Sequence, residues 1–423
     1  MYAFTDAEIA HLRGRVARTW DRLSPQFRTS NQILGRKRSI GCVALEITQR
    51  CNLDCSICYL SEKSESTPDI PLDTIWRRLD RIVEDYGVGT NVQITGGDPT
   101  LRNHDELEAI VRRAASLKLY PALFTNGINA SRELLVRLQA AGLVDLAMHV
   151  DLTEKRKGFK SETQLNDVRQ EYVEKARGVG LNVIFNQTIY SKNFTEVPEL
   201  VRFYVKNADV VGMASFQLQA DTGRGANRKR KDVISLDTVG EKIKEGLGGV
   251  DLAWDAVKVG HPDCHRIAYS AVFANGHVAP LFDDAEVVAD MLEFSRDWYA
   301  DRTRPAVAAL QGIKAAAKAG WIRKGLKVFG GKAIENWRPL VASRGKVRKL
   351  SFFMQNFMDA QNLNHERVDN CSFHCMTDDG GVSMCVHNAY RDHYLEKGTG
   401  YPESYQAQRA EAGFHPCRPG HSA

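Results

Sequence analysis

The chain has 423 residues, 57 Lys and Arg against 52 Asp and Glu, a net charge of +5, and 43% hydrophobic residues. That length exceeds one ordinary domain, and the composition fits a globular protein with a sizeable core. So mild a charge gives no reason to expect nucleic acid, nine cysteines over this length are no disulfide scaffold, and no run approaches the roughly eighteen apolar residues of a membrane span.

Residues 6–22 place Ile9, Leu12, Val16 and Trp20 on one helical face, with Thr5 or Asp6 as the cap. Charges scattered through the first twenty residues argue against a signal peptide, so a cytoplasmic location is expected. Residues 1–40 read as an N-terminal helical extension. From Val43 to Gln219, apolar runs alternate with amphipathic segments. Strands are expected at 43–48, 91–95, 120–124, 145–151, 181–189 and 211–218, and helices at about 73–86, 104–118, 131–141, 163–179 and 196–207. This alternation implies parallel strands joined by right-handed crossovers. The expected fold class is α/β, with a core over 41–235 and a smaller α+β, cysteine-containing domain over 236–423.

The first strand runs into Cys51-Asn-Leu-Asp-Cys55-Ser-Ile-Cys58. Cysteines so closely spaced let three thiolates meet at one centre without long-range folding. A closed zinc site takes four ligands, and no fourth Cys or His is near in sequence, which suggests a metal centre with one open position. From the cysteines alone, a zinc ribbon completed by Cys371 and Cys375, or plain reduced thiols, are the alternatives. The second strand ends in Thr95-Gly96-Gly97-Asp98-Pro99-Thr100, where paired glycines admit close backbone approach. Thr125-Asn126-Gly127 is a turn after the third strand. His149 and Asp151 end the fourth and Asn186 and Gln187 sit late in the fifth; satisfied buried polar groups are their ordinary reading.

The CxxxCxxC spacing, with Ile57 before the last cysteine, resembles the signature loop of the radical S-adenosylmethionine (SAM) enzymes. The resemblance implies a partial (β/α)6 barrel with its chemistry at the C-terminal ends of the strands. It implies that Cys51, Cys55 and Cys58 hold three irons of a [4Fe–4S] cluster whose fourth iron is chelated by SAM. Gly96, Gly97, Asp98 and Pro99 are similar to the family's GGEP motif, which holds the SAM amino group, with Asp98 where Glu is usual. Thr125 and Asn126 match a turn near SAM, and His149, Asp151, Asn186 and Gln187 match places used for its ribose and carboxylate. Further implied are reductive SAM cleavage, hydrogen-atom abstraction from a substrate by a 5′-deoxyadenosyl radical, and a reductant such as flavodoxin or ferredoxin. No residue is marked as a catalytic acid or base.

Arg228-Lys-Arg-Lys231 is a basic run, suited to solvent or to a substrate phosphate. Past residue 235 the alternation stops. His261-Pro-Asp-Cys264 precedes an expected hairpin, Ile267–Phe273 and His277–Leu281, turning at Ala274-Asn275-Gly276. Residues 298–318 and 332–340 read as helices. Cys371 to Cys385, with Asp378-Asp-Gly-Gly381 between, reads as a metal-binding hairpin, and Cys417 follows. Four thiolates from Cys264, Cys371, Cys375, Cys385 and Cys417 would hold an auxiliary [4Fe–4S] cluster or a mononuclear iron or zinc; unliganded core thiols are the alternative. The Gly41–Cys51 entry, Phe216-Gln217, Thr222-Gly-Arg224, His261-Pro-Asp-Cys264 and the Cys371–Cys385 hairpin resemble the branch of archaeal tetraether lipid synthase and related lipid-tail enzymes. That implies attack at an unactivated alkyl carbon of a lipid, with peripheral membrane contact. A peptide or small metabolite is the alternative substrate. An iron–sulfur or zinc electron-transfer protein is the non-enzyme alternative, and it leaves the glycine pair without a role.

Overall fold

The apolar runs of the first half become six strands: β1 (Cys42–Thr48), β2 (Asn91–Gly96), β3 (Tyr120–Thr125), β4 (Asp145–His149), β5 (Asn182–Ile189) and β6 (Val211–Leu218). They are seen in a computed structural model that describes residues 4–225, 234–296, 298 and 305–420. The basic run at 228–231 lies outside the described residues. β1 to β6 lie side by side in chain order, each parallel to the next. Parallel neighbours need crossovers. Helix α1 (Asp6–Arg22) precedes the sheet, and α2 (Leu72–Tyr86), α3 (His104–Ser116), α4 (Arg132–Ala141), α5 (Glu162–Ala176) and α6 (Val197–Lys206) supply the connections. Their starts are fixed locally: Asn103, Ser131 and Ser161 accept backbone N–H groups at the first turns of α3, α4 and α5. Thr5 and Glu8 form a reciprocal cap on α1, whose Leu12 and Val16 pack against Val88.

The second half adds α7 (Leu236–Gly246), β7 (His265–Phe273), β8 (Val278–Pro280), α8 (Ala285–Phe294), α9 (Pro305–Lys318), α10 (Ile322–Glu335), α11 (Trp337–Ala342), β9 (Val347–Asn356), β10 (Phe373–Thr377) and β11 (Gly380–Ser383). The expected hairpin is β7–β8, in register at Val272 and Val278. The expected helix at 332–340 is instead the end of α10 and the start of α11, divided at Asn336. These strands extend the core sheet at both edges, in the order β11-β10-β1-β2-β3-β4-β5-β6-β9-β7-β8. β9 runs parallel beside β6, pairing Ser351 with Met213, and β10 runs parallel beside β1, pairing Cys375 with Ala44. The sheet stays open between β11 and β8, a partial barrel in the α/β class. No helix of the described residues is long and apolar enough to cross a membrane.

Candidate active site

Cys51, Cys55 and Cys58 follow β1 and open on one cavity at the C-terminal ends of β1 to β6. Gly96, Gly97, Asp98, Thr125, Asn126, His149 and Asn186 share its lining. The cysteine loop is tied to the loops beside it. Tyr59 Oη donates to the Gly96 carbonyl at 2.5 Å, Ser56 N donates to the Thr153 carbonyl at 2.7 Å, and Asn126 Nδ2 donates to Asn52 Oδ1 at 2.5 Å.

The glycine pair serves this same contact. A Cβ on Gly97 would stand 1.9 Å from the Arg50 carbonyl oxygen, and one on Gly96, at φ +123, 1.9 Å from that of Thr48. Both positions are therefore set by the backbone entering the cysteine loop, a reason the sequence did not disclose. Asp98 accepts from Thr100 N at 2.9 Å, Thr125 Oγ1 at 2.8 Å and Asn126 N at 2.8 Å, so its carboxylate braces the second and third loops. Pro99 begins the turn behind it and is no part of the lining.

Strand alternation divides the other expected residues. His149 and Asn186 are register partners on β4 and β5 and both line the cavity. Gln187 faces the other way, donating to the Ser215 carbonyl at 2.7 Å and accepting from Tyr204. Asp151 is fully buried behind the lining, accepting from Thr153 N at 2.7 Å and Thr188 N at 2.6 Å, with His149 Nε2 at 2.7 Å. Asp151 thus positions His149. Burial alone lowers the imidazole pKa, but the Asp151 carboxylate outweighs it and raises the value to about 9.

Two residues given no role in the sequence also belong here. Glu154 lines the cavity beside the Arg156 guanidinium, at 2.7 Å, and burial pushes its carboxyl up to about 7. Its only sequence signal is an acid closely following His149 and Asp151. Arg224 Nη2 stands 3.5 Å from Cys58 Sγ, a fixed cation beside the thiols. Burial, with Glu154 and Asp151 near, pushes the Cys55 thiol up, so that thiolate needs a metal to stabilise it.

Part of the wall is apolar: Leu60, Leu218 and Ala220 from the core, and Phe357, Phe373 and Met384 from the second half. A buried ion pair joins the two halves. Arg391 donates to Glu46 on β1 at 3.0 and 2.9 Å, and its guanidinium lies 4.5 Å from the centre of the Tyr59 ring. Burial works against the Glu46 charge, yet Arg391 holds its pKa at about 2.

The later cysteines separate into two places. Cys371 is the shared electrostatic neighbour of Cys42, Cys264, Cys385 and Cys417. Arg367 Nε is 3.4 Å from Cys264 Sγ, and Ser383 Oγ is 3.4 Å from Cys371 Sγ. Burial pushes the Cys264 thiol up to about 11 and that of Cys417 up to about 12. Cys375 departs from the expected set: on β10 it packs with Ala44 and Met384, its thiol within 4.8 Å of Glu46 and His387. Cys385 opens the helix Met384–Ala389 instead of lying on the returning strand. Cys42, the residue left out of the sequence reading, takes the place next to Cys371.

Residues 45–204 match the model of the radical SAM superfamily. This stretch is a radical SAM segment, and it supports an enzyme of that kind. It is 25% identical over 400 residues to the 7,8-dihydro-6-hydroxymethylpterin dimethyltransferase of Methanocaldococcus jannaschii, covering 85% of this chain and 78% of that protein. It is 30% identical over 162 residues to the PqqA peptide cyclase of Xanthomonas euvesicatoria, covering 38% of this chain and 42% of that one. The crystal structure of Streptococcus suis SuiB bound to precursor peptide SuiA aligns with 51% of this chain and 48% of its own, at 20% identity and a TM-score of 0.39. Radical SAM chemistry uses a [4Fe–4S] cluster and SAM. The cavity fits them: thiolates are the ligands that select iron–sulfur clusters, three rather than four face the cavity, and Arg224 offsets their charge.

Proposed function

We propose that Cys51, Cys55 and Cys58 ligate the SAM-cleaving cluster and that the enzyme removes a hydrogen atom from an alkyl carbon of a lipid. The observation that carries the substrate class is the apolar wall of Leu218, Phe357, Phe373 and Met384 in the same cavity as the three thiols. The bound cluster and SAM supply the one-electron chemistry, and the residues of the chain arrange it. Gly96 and Gly97 let the cysteine loop close, while Asp98, Thr125 and Asn126 fix the neighbouring loops. His149, protonated through Asp151, presents an N–H to an anionic group such as a carboxylate, and Asn186 offers an amide beside it. Phe357, Phe373 and Met384 exclude water from the chain that reacts. Residues 41–235 would form the SAM-cleaving core and 236–423 the region that completes the substrate wall.

Cys42, Cys264, Cys371 and Cys385, with Cys417 at the margin, hold an auxiliary centre in this reading. A single ion at about 2.3 Å from each thiolate would draw their sulfurs to within about 4 Å of one another. Among the described residues, the one grouping of three metal-capable side chains within 4.8 Å is Glu46, Cys375 and His387. The centre proposed here is a multi-iron cluster. The reaction requires an external reductant of the flavodoxin or ferredoxin kind, a cytoplasmic setting and peripheral access to lipid. A second reading, modification of a small heteroaromatic metabolite, is favoured by the likeness to the pterin dimethyltransferase over 85% of this chain.

The test is anaerobic reconstitution followed by dithionite-driven formation of 5′-deoxyadenosine. Wild-type protein should form it, and changing Cys51, Cys55 and Cys58 to Ala should abolish it. Undiminished turnover in the triple variant sinks the cluster assignment. Deuterium transfer into 5′-deoxyadenosine from a perdeuterated acyl or isoprenoid lipid, absent with a pterin, decides the substrate class.

A further inference from the structure

Helices α9, α10 and α11 expose large apolar side chains to solvent. Leu310 and Ile313 on α9, Leu326 and Ile334 on α10, and Trp337 and Val341 on α11 are each more than half exposed, Ile334 at 73%. Of the large apolar side chains exposed among the described residues, all but Ile128 and Val136 lie between Val307 and Val341. The inner side of these helices is anchored. The Trp321 ring lies 5.0 Å from Phe294, Phe329 lies 6.5 Å from Phe282, and Lys332 Nζ reaches the Pro280 carbonyl of edge strand β8 at 3.3 Å. The outward apolar residues are therefore a feature of a docked layer and not of a detached segment.

The same helices concentrate the positive charge. Residues 305–344 hold eight Lys and Arg and one acid, Glu335, a surplus of seven in a chain whose net charge is +5. The remainder of the protein is thus net acidic. Lys324 and Lys332 pair with Asp290 and Asp283, while Lys314, Lys318, Arg323 and Lys327 stand exposed among the apolar residues. Contiguous apolar exposure marks an interaction surface. Nucleic acid would match the charge but not Leu326, Ile334 and Val341. An anionic bilayer matches both: apolar side chains enter the headgroup boundary, and lysine stems follow them while keeping their ammonium groups at the phosphates. Helices α9 and α10, of 14 residues each, are too short to span and suited to lying in the plane.

We propose that α9–α11 form a docking surface for an anionic phospholipid membrane. The surface is read from these helices alone; only its use, delivery of a lipid to the cavity, rests on the proposed substrate. The test is co-sedimentation of the reconstituted full chain with phosphatidylcholine vesicles, with and without phosphatidylglycerol. Binding should require phosphatidylglycerol and weaken as salt is raised. The variant L326E/I334E/V341E should lose binding, and each of K314Q, R323Q and K327Q should weaken it about five-fold, the equivalent of one basic residue at a charged surface. None of these residues lines the cavity, so 5′-deoxyadenosine formation should stay at the wild-type level in every variant, which also reports that the variants fold. Absence of vesicle binding by active wild-type protein overturns the proposal. So does a wild-type dimer that L326E/I334E/V341E turns into a monomer without any vesicle binding, since the face would then join two copies. Protein that binds vesicles but does not cleave SAM overturns the proposed chemistry and leaves the surface standing.

Discussion

Arg391→Met is the most informative single substitution, because it removes one side of the ion pair that holds the two halves of the cavity together. Methionine keeps much of the apolar stem and deletes the charge. Glu46, 5% exposed, then retains only the donor from Gln49 Nε2 at 2.7 Å. Leaving one member of a buried pair alone costs about 3–5 kcal/mol. The pH dependence carries the sign. In the wild type, Glu46 is held at about 2 against an ordinary value of 4.5, so its stabilisation is present above pH 4.5 and is lost as the pH falls toward 2. In the variant, burial without Arg391 raises the carboxyl pKa, so the protein regains stability as the pH falls and Glu46 protonates. The deficit between the two proteins should therefore shrink on acidification. Glu46→Gln in the Arg391→Met background should restore part of the loss, since no charge is left buried. Anaerobic denaturant unfolding of cluster-loaded protein, with iron content checked in each sample, measures all three. A deficit below about 1 kcal/mol, or one independent of pH, or a double variant less stable than the single, would refute the role of the pair.

Gly97→Ala places a Cβ 1.9 Å from the Arg50 carbonyl, a backbone atom that is unable to swing aside. It should cost about 2 kcal/mol or more and lower iron loading at the Cys51–Cys58 loop, so iron analysis of the folded variant checks it. Asp151→Asn removes the carboxylate that keeps His149 protonated; the imidazole pKa, raised to about 9 in the wild type, should drop below neutrality when followed by NMR. In a C51A/C55A/C58A background the protein should still bind iron and sulfide. Adding Cys371→Ala should release them and Cys375→Ala should not, by metal analysis after anaerobic reconstitution.

Short-range signals in the sequence located the six core strands, the cap at Thr5, and the three cysteines, because each depends on residues within one turn or one strand. The alternation of a strand was also available: Asn186 and Gln187 are neighbours on β5, so only one of them could face the cavity. Asp151 escaped that rule because β4 ends at His149 and the chain turns. The glycine pair was legible as a place of close approach, but what approaches, Thr48 and Arg50, is set by how the β1 and β2 ends stack. β9 carries exposed Arg348 and Lys349 near its start and has a partner distant in sequence, so no local pattern announced it. The contact of Arg391 with Glu46 and the pairing of Cys42 with Phe373 have the same origin: pairings between distant segments leave no periodic trace.

The seating of β10 against β1 also sets an order of events during synthesis. Ala44 waits for Cys375, and Met213 waits for Ser351, so both margins of the core sheet remain unpaired until β9 and β10 have left the ribosome. Pairings that join the start of a chain to its end are slow to form, and bare strand edges meanwhile invite the wrong partners. A nascent chain halted after β6 has its cysteine run and its first six strands, but neither the Phe373 and Met384 of the cavity wall nor the Arg391 that balances Glu46. Residues translated long after β1 are thus the ones that cover its edge, and a release of the chain before them leaves a core that is sticky at both margins.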